Sequence, residues 1–324
     1  MIGAMYQIVI SGGAGFIGSH LCKKLLNEGN TIYCIDNFIS GSRTNVEGLR
    51  DNPKFHLIEH DVSQPLSTIS DRFGDIQYIF HLASPASPNK KSERSYINHP
   101  IETMLSNSIG TYYLLQLAKE KNAKFLFAST SEVYGNPSVS PQAETYFGNV
   151  NPNGIRSVYD EAKRFGEAMT WSFRRVQGVD ARIIRIFNTY GPFMLKDDGR
   201  VVSTFINQAL DGVPLTIFGD GKQTRSFCYV DDMVDGIMKA MFVDGTNGQV
   251  MNLGNPDERS VAEIATIVKD LVGKSVEIVH EELPEDDPMQ RKPDISKVKS
   301  LLQWEPKITL EEGLRKTIDY FRNA

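Results

Sequence analysis

The chain has 324 residues, enough to bury a large core as one large domain or two smaller ones, and its 40% hydrophobic and 23% charged residues are the balance of a soluble globular protein. A formal net charge of -5 argues against a nucleic-acid partner, which would draw on a basic patch. No apolar run approaches the roughly 18 residues of a spanning helix, so no membrane partner is expected.

The opening MIGAMYQIVISGG enters a strand pattern at once, with no signal peptide in front of it. The three cysteines, Cys22, Cys34 and Cys228, are scattered and odd in number, which fits a reducing compartment; a cytoplasmic location is expected. Neither they nor the six histidines show ligand spacing, so no metal is expected.

In chain order, Gln7–Ser11 (QIVIS) reads as a buried strand. Phe16–Asn27 carries Ile17, Leu21 and Leu25 at helical spacing, with Gly29 as its stop. The link between them is glycine-rich. Gly12 and Gly15 permit a tight turn and close approach of backbone to a pyrophosphate, and Gly18 lets the helix pack on the sheet. The helix start at Phe16 and Ile17 offers free N–H groups and partial positive charge to phosphates. The bland alternative is an ordinary glycine turn.

Thr31–Asp36 is a second strand, ending in Asp36 with Asn37 beside it. Asp36 stands where a ribose-binding acid is expected. It would accept bonds from both hydroxyls and repel a 2′-phosphate, favouring NAD over NADP. A turn aspartate competes with this reading, and Arg43 nearby points the other way. Strands follow at Phe55–Glu59, Tyr78–Leu82, Lys124–Ser129 and Ala181–Phe187, with helices at Ser108–Lys119 and Tyr159–Val176. Asp61 and Val62 after the third strand can reach an adenine, and Leu82 and Ala83 after the fourth belong to the same candidate cofactor set. This alternation implies a parallel sheet covered on both faces.

After Asn188 the rhythm changes to short elements such as Leu215–Phe218. A helix returns at Val230–Met241, where Asp231 and Asp232 can cap the first turn. The last third, ending WEPKITLEEGLRKTIDYF, reads as a smaller helical and loop-rich lobe. The expectation is an α/β doubly wound parallel sheet built from 1–188 plus about 228–252, with a second, smaller substrate lobe from 189–227 plus 253–324. The acidic stretch Glu281–Asp287 reads as a solvated loop.

Tyr159 and Lys163 are four apart and share a helix face. A lysine ammonium beside a phenol favours phenolate and lowers its pKa from about 10, as proton removal from a sugar alcohol requires. A surface Tyr and Lys is the alternative. Ser129–Gly135 (STSEVYG) lies at a strand's C-terminal end, where open α/β sheets bind ligands. There Thr130 can hydrogen-bond a reacting oxygen and Glu132 can act on a neighbouring position; plain turn chemistry is the alternative for the serines.

Together the glycine loop, Asp36, STSEVYG and the segment from Tyr159 to Lys163 (YDEAK) resemble the extended short-chain dehydrogenase/reductases, the NAD-dependent nucleotide-sugar epimerases, dehydratases and decarboxylases. The resemblance runs through essentially the whole chain. HLASPASP (from His81), STSEVYG, NPNGIR (Asn151 to Arg156), RIFNTYGP (from Arg185), DGRVVSTFI (from Asp198), GDGKQTRSF (from Gly219), NLGNPDE (from Asn252) and DDPMQRKPDI (from Asp286) look most like the UDP-glucuronate decarboxylases. The resemblance implies a Rossmann-like fold, NAD as cofactor, a UDP-sugar as substrate and a homodimer through a four-helix interface. It places Glu132 and Arg291 near the sugar carboxyl end, with Arg156 as another candidate there. It puts Asn188, Arg200, Val201 and Arg225 in segments used for the nucleotide, where an arginine fork suits a diphosphate.

Where the dehydratases of this group carry T-D-E, this chain has Thr130-Ser131-Glu132. Ser131 is a poor acid, which argues against expelling a C6 hydroxyl. Loss of carbon dioxide β to a C4 ketone needs no such acid, only donors on the ketone oxygen, with Tyr159 and Thr130 the candidates. A 4-epimerase or 4,6-dehydratase on the same scaffold stays open, as does a non-catalytic dinucleotide sensor. Retention of Tyr159, Lys163 and Thr130 together counts against the sensor.

Overall fold

A computed structural model describes residues 5–282 and 290–323. Its first half alternates strands β1 (Gln7–Ser11), β2 (Thr31–Asp36), β3 (Phe55–Glu59), β4 (Tyr78–His81), β5 (Lys124–Thr130) and β6 (Ala181–Ile186) with helices α1 (Phe16–Asn27), α2 (Pro100–Asn107), α3 (Ile109–Glu120) and α4 (Ser157–Ser172). Short strands β7 (Thr189–Tyr190), β8 (Leu215–Phe218), β9 (Thr224–Ser226) and β10 (Cys228–Tyr229) follow, with α5 (Val201–Asp211) and α6 (Val230–Phe242) among them. Strands β11 (Val250–Leu253), β12 (Glu258–Ser260), β13 (Ile278–Glu281) and β14 (Gln290–Arg291), and helices α7 (Val261–Val272), α8 (Ser296–Leu302) and α9 (Leu310–Asn323), complete the chain.

Seven strands form one sheet in the order β11-β6-β5-β4-β1-β2-β3, every neighbour parallel. A parallel sheet needs crossovers, and these put helices on both faces, so its strands are apolar throughout. Along β1, Ile8 and Ile10 pack with Leu21 and Leu25 of α1 and Met233 and Ile237 of α6. Val9 points the other way, into the core beneath Leu114 and Leu115 of α3. The sheet order reverses between β1 and β4, so the loops leaving those strands flank the crevice where such folds take ligands.

The remaining elements pair outside this sheet: β13 with β8, and β12-β9-β14 as a three-stranded sheet. A capping box opens α7, with Ser260 Oγ accepting from Glu263 N–H and Glu263 accepting from Ser260 N–H. The expected capping of α6 by Asp231 and Asp232 is not what forms. Neither side chain caps that helix; Asp232 instead accepts the backbone N–H groups of Lys307 and Ile308 at 2.9 and 2.8 Å, tying the C-terminal segment down. Of the acidic stretch and the DDPMQRKPDI segment, residues 283–289 lie outside the described residues; Glu281 and Glu282 are exposed.

Candidate active site

The loop after β1 is held by contacts that tolerate no side chain. A Cβ on Gly12, whose φ is +74°, would stand 2.7 Å from Ala83 N, and one on Gly18 would stand 2.1 Å from Gly12 O. The bare backbone therefore lies against Leu82 and Ala83 at the end of β4, and α1 starts directly under it. Gly12, Gly15, Asp36, Asn37, Asp61, Val62, Leu82 and Ala83 line a common cleft. Phe16, Ile17 and Gly18 form the first turn of α1 beside it.

Asp36 is buried, and its two oxygens accept the N–H groups of Ala14 and Phe38, each at 2.9 Å. Burial raises its pKa and those two bonds oppose the rise. The bonds fix the carboxylate at the cleft edge and leave it further lone pairs for a diol. Asn37 donates to Asp61 at 3.1 Å. Arg43 is committed elsewhere, paired with Glu59 at 2.6 Å and lying 4.0 Å over the Phe38 ring. A glycine loop with no Cβ, a helix start and a fixed ribose acid in one cleft fit a dinucleotide without a 2′-phosphate.

The catalytic candidates stand on α4 and on the turn after β5. Gly166 sets the distance between these elements, because a Cβ there would lie 2.2 Å from Phe127 Cζ. Tyr159 and Lys163 are consequently both buried against β5. Lys163 Nζ donates to Ala128 O at 2.8 Å and lies 5.8 Å from the centre of the Tyr159 ring. Burial lowers its pKa to about 7, with Glu167 opposing. The expected lowering of the Tyr159 pKa is not seen: burial pushes it up to about 12. The Thr130 hydroxyl, and at longer range Arg200, favour the phenolate, while Glu132 and Asp160 disfavour it. Desolvation of the phenol outweighs its neighbours.

Glu132 is clamped. Arg156 Nη2 stands 2.5 Å from its Oε2 and Arg291 Nη2 stands 3.3 Å from the same oxygen. Burial alone would raise this carboxyl; the Arg291 and Arg156 guanidiniums hold it at about 2. Arg291 is 1% exposed and also donates to Ser131 O. Arg225 joins them because β9 and β14 pair in parallel with Arg225 opposite Arg291. That pairing puts a third guanidinium in the field of Glu132, a placement the expected diphosphate role for Arg225 does not include. Ser131 is buried at the centre of this turn.

Arg200 is held bidentately by Asp198, with Nη2 to Oδ2 at 2.6 Å, and its field reaches Tyr159. Val201 opens α5, and Asn188 is half-buried between β6 and β7. Among the described residues these two make no side-chain hydrogen bond or ion pair with the arginine cluster.

Two residues at this site were given no role by the sequence reading. Tyr96, 2% exposed, stacks on Tyr159 with centroids 5.1 Å apart and planes 8° from parallel. It lies in an irregular loop with no period to reveal it. Asp160, beside Tyr159 in sequence, is 5% exposed and lines a second cavity with Glu132, Arg156 and Arg291. Its only signal was its adjacency to the tyrosine.

The chain belongs to the NAD dependent epimerase/dehydratase family, whose pattern matches residues 8–254. It is 51% identical over 317 residues to UDP-glucuronic acid decarboxylase 3 of Arabidopsis thaliana, covering 98% of this chain and 89% of that one. It is 49% identical over 316 residues to UDP-glucuronic acid decarboxylase 1 of Xenopus tropicalis, covering 98% and 72%. Among solved structures, UDP-glucuronic acid 4-epimerase from Bacillus cereus, in complex with UDP-glucuronic acid and NAD, superposes with a TM-score of 0.86 at 31% identity, over 98% of this chain and 99% of that one.

Proposed function

We infer that this protein is an NAD-dependent UDP-glucuronate decarboxylase that forms UDP-xylose. What carries the reading is identity of about one half, over 98% of the chain, to decarboxylases of a plant and a frog. The geometry supplies the chemistry. NAD, when bound, accepts a hydride from C4 of the sugar and later returns it.

Tyr159 takes the proton of the C4 hydroxyl, helped by the Thr130 hydroxyl, which favours its ionised form. The resulting ketone oxygen accepts from Thr130 and Tyr159, and these donors carry the enolate charge when the C5–C6 bond breaks. At the far end Arg156, Arg291 and Arg225 all act on Glu132, and their guanidinium forks suit the sugar carboxylate. Breakage of the C5–C6 bond discharges that carboxylate as neutral carbon dioxide. Glu132, locked by two arginines, positions them. Asn188, Arg200 and Val201 are assigned to the nucleotide side.

Residues 1–188 plus about 228–252 hold the dinucleotide in this reading, supported by the return of α6 and β11 to the large sheet, and 189–227 plus 253–324 hold the nucleotide sugar. The active unit is a homodimer. Ile101 and Met104 on α2, Ile109 and Tyr112 on α3 and Phe165 on α4 are exposed apolar side chains, and a second copy would cover them. No helix among the described residues is long and apolar enough to cross a membrane. We place the protein in the cytoplasm, in keeping with its three unpaired cysteines; recovery in a membrane fraction would contradict that.

The test is incubation with UDP-glucuronate and trace NAD. UDP-xylose and carbon dioxide should appear in equal amounts. UDP-galacturonate without carbon dioxide would make the protein an epimerase, and turnover of UDP-glucose alone would remove the decarboxylase reading.

A further inference from the structure

Decarboxylation leaves a proton unaccounted for by Tyr159. The proton that Tyr159 takes from the C4 hydroxyl returns to the C4 oxygen when the ketone is reduced. When the C5–C6 bond breaks, its electron pair stays on the sugar as an enolate and C6 leaves as carbon dioxide. C5 must then form a new bond to hydrogen, and that proton comes from solvent, one per turnover. Resting on the decarboxylase reading, we propose that Asp160, through the polar cavity it shares with Glu132, supplies the proton that C5 takes up.

The cavity has a volume of about 240 Å³. Glu132, Arg156, Asp160 and Arg291 line its inner part, and the exposed residues Asn136 and Asn149 line it toward solvent. It is polar and roomy enough for bridging water. Asp160 Oδ1 is buried and has no hydrogen-bond partner among the described residues, so its hydrogen-bonding capacity is not spent on the fold.

The two carboxyls in this cavity are driven apart. Glu132 stays ionised between its arginines, whereas burial, and then the Glu132 charge, push Asp160 up to about 8. The groups facing Asp160 are Glu132 from the turn after β5, Arg156 from the loop before α4, Arg291 from β14 and Tyr96 from the loop before α2, with Glu161 and Tyr159 on its own helix. Arg156 and Arg291 oppose the rise without cancelling it. A carboxyl protonated at neutral pH beside one that is not is the arrangement that separates an acid from a charge partner. In each cycle Asp160 gives its proton to C5 through water and regains one from solvent through the cavity. Acting through water, it is a positioning residue for that proton.

The test separates the two halves of the reaction with Asp160→Asn. In a single turnover with UDP-glucuronate, NADH absorbance should still rise within about threefold of the wild-type rate. UDP-xylose formation should fall by about tenfold or more, with NADH accumulating. Wild-type kcat should fall above about pH 8 while the NADH step does not, and the variant should lose that alkaline limb. Unchanged kcat with the limb intact, or equal loss of both steps, would overturn the proposal. If the variant fails to fold, the wild-type profile decides alone, and a kcat flat from pH 7 to about 9.5 overturns it. Absence of carbon dioxide from wild-type protein at any pH is a different result: it removes the decarboxylase reading and this proposal with it.

Discussion

Tyr159 occupies a setting that opposes its own ionisation. Burial and the nearby carboxyls raise its pKa to about 12, and the Thr130 hydroxyl and the more distant Arg200 act the other way. Only the phenolate can accept the C4 proton, so the phenol must first lose its own, and the positive nicotinamide ring would favour that ionisation when NAD is bound. Replacing Tyr159 with Phe removes the acceptor and leaves the packing against Tyr96. Turnover should drop by about 10²–10⁴-fold with UDP-glucuronate binding nearly unchanged, measured by single-turnover NADH absorbance and calorimetry. Full activity in that variant would refute the assigned chemistry.

Arg291→Ala should act differently. Removing one guanidinium leaves Glu132 with Arg156 and raises its pKa from about 2. C4 oxidation should then continue while carbon dioxide release falls by about tenfold or more. Equal loss of both would argue against a role at the carboxylate. The Y-x-x-x-K spacing, the S-T-S-E turn and the glycine loop were legible because each is a local pattern on one element. The arginine cluster was legible only as separate residues. It assembles because β9 pairs with β14, a contact between segments far apart in sequence that no local period encodes. Asp160 was in view but its burial was not, since the sequence alone does not say which side of α4 faces the cavity.

At the scale of elements, His81 ties the sheet to the helices beneath it. Its Nδ1 meets Ser11 Oγ of β1 at 2.8 Å, and its Nε2 meets Ser106 O of α2 and Thr111 Oγ1 of α3 at 3.2 and 3.1 Å. Burial, and then Lys163, lower its pKa from 6.5 to about 3. The folded state thus binds its proton less readily than the unfolded chain. The stability it contributes is full above about pH 6.5 and is lost as pH falls from there toward 3, at up to about 1.4 kcal/mol per pH unit. Asp160, pushed up to about 8, acts the other way over the same range, so the reading is a difference: relative to His81→Gln, the wild-type urea midpoint should fall between pH 7 and 5, and an equal slope in both proteins would contradict it.

Gly18→Ala is the sharpest backbone prediction. An added Cβ 2.1 Å from Gly12 O must displace the loop, so NAD affinity should fall by about tenfold or more by fluorescence titration. Unchanged affinity would detach that loop from the cofactor. The central strands were readable because they are apolar on both faces. Strands of two or three residues, such as β7, β10 and β14, are too short to show a period.

For the whole molecule, the proposed dimer would join assembly to catalysis, since its exposed apolar side chains lie on α2, α3 and α4, and α4 carries Tyr159, Lys163 and Asp160 as well as Phe165. Met104→Glu combined with Ile109→Glu should convert a dimer to a monomer in sedimentation velocity. A wild-type monomer would contradict that assembly. The central claim is that one site oxidises C4, releases C6 and reduces C4 again without letting the sugar go. The direct measurement is turnover of UDP-glucuronate deuterated at C4, followed by mass spectrometry and NMR. UDP-xylose that keeps deuterium at C4, with one carbon dioxide per sugar, is the predicted result. UDP-xylose that has lost the label, or labelled UDP-galacturonate with no carbon dioxide, would contradict it.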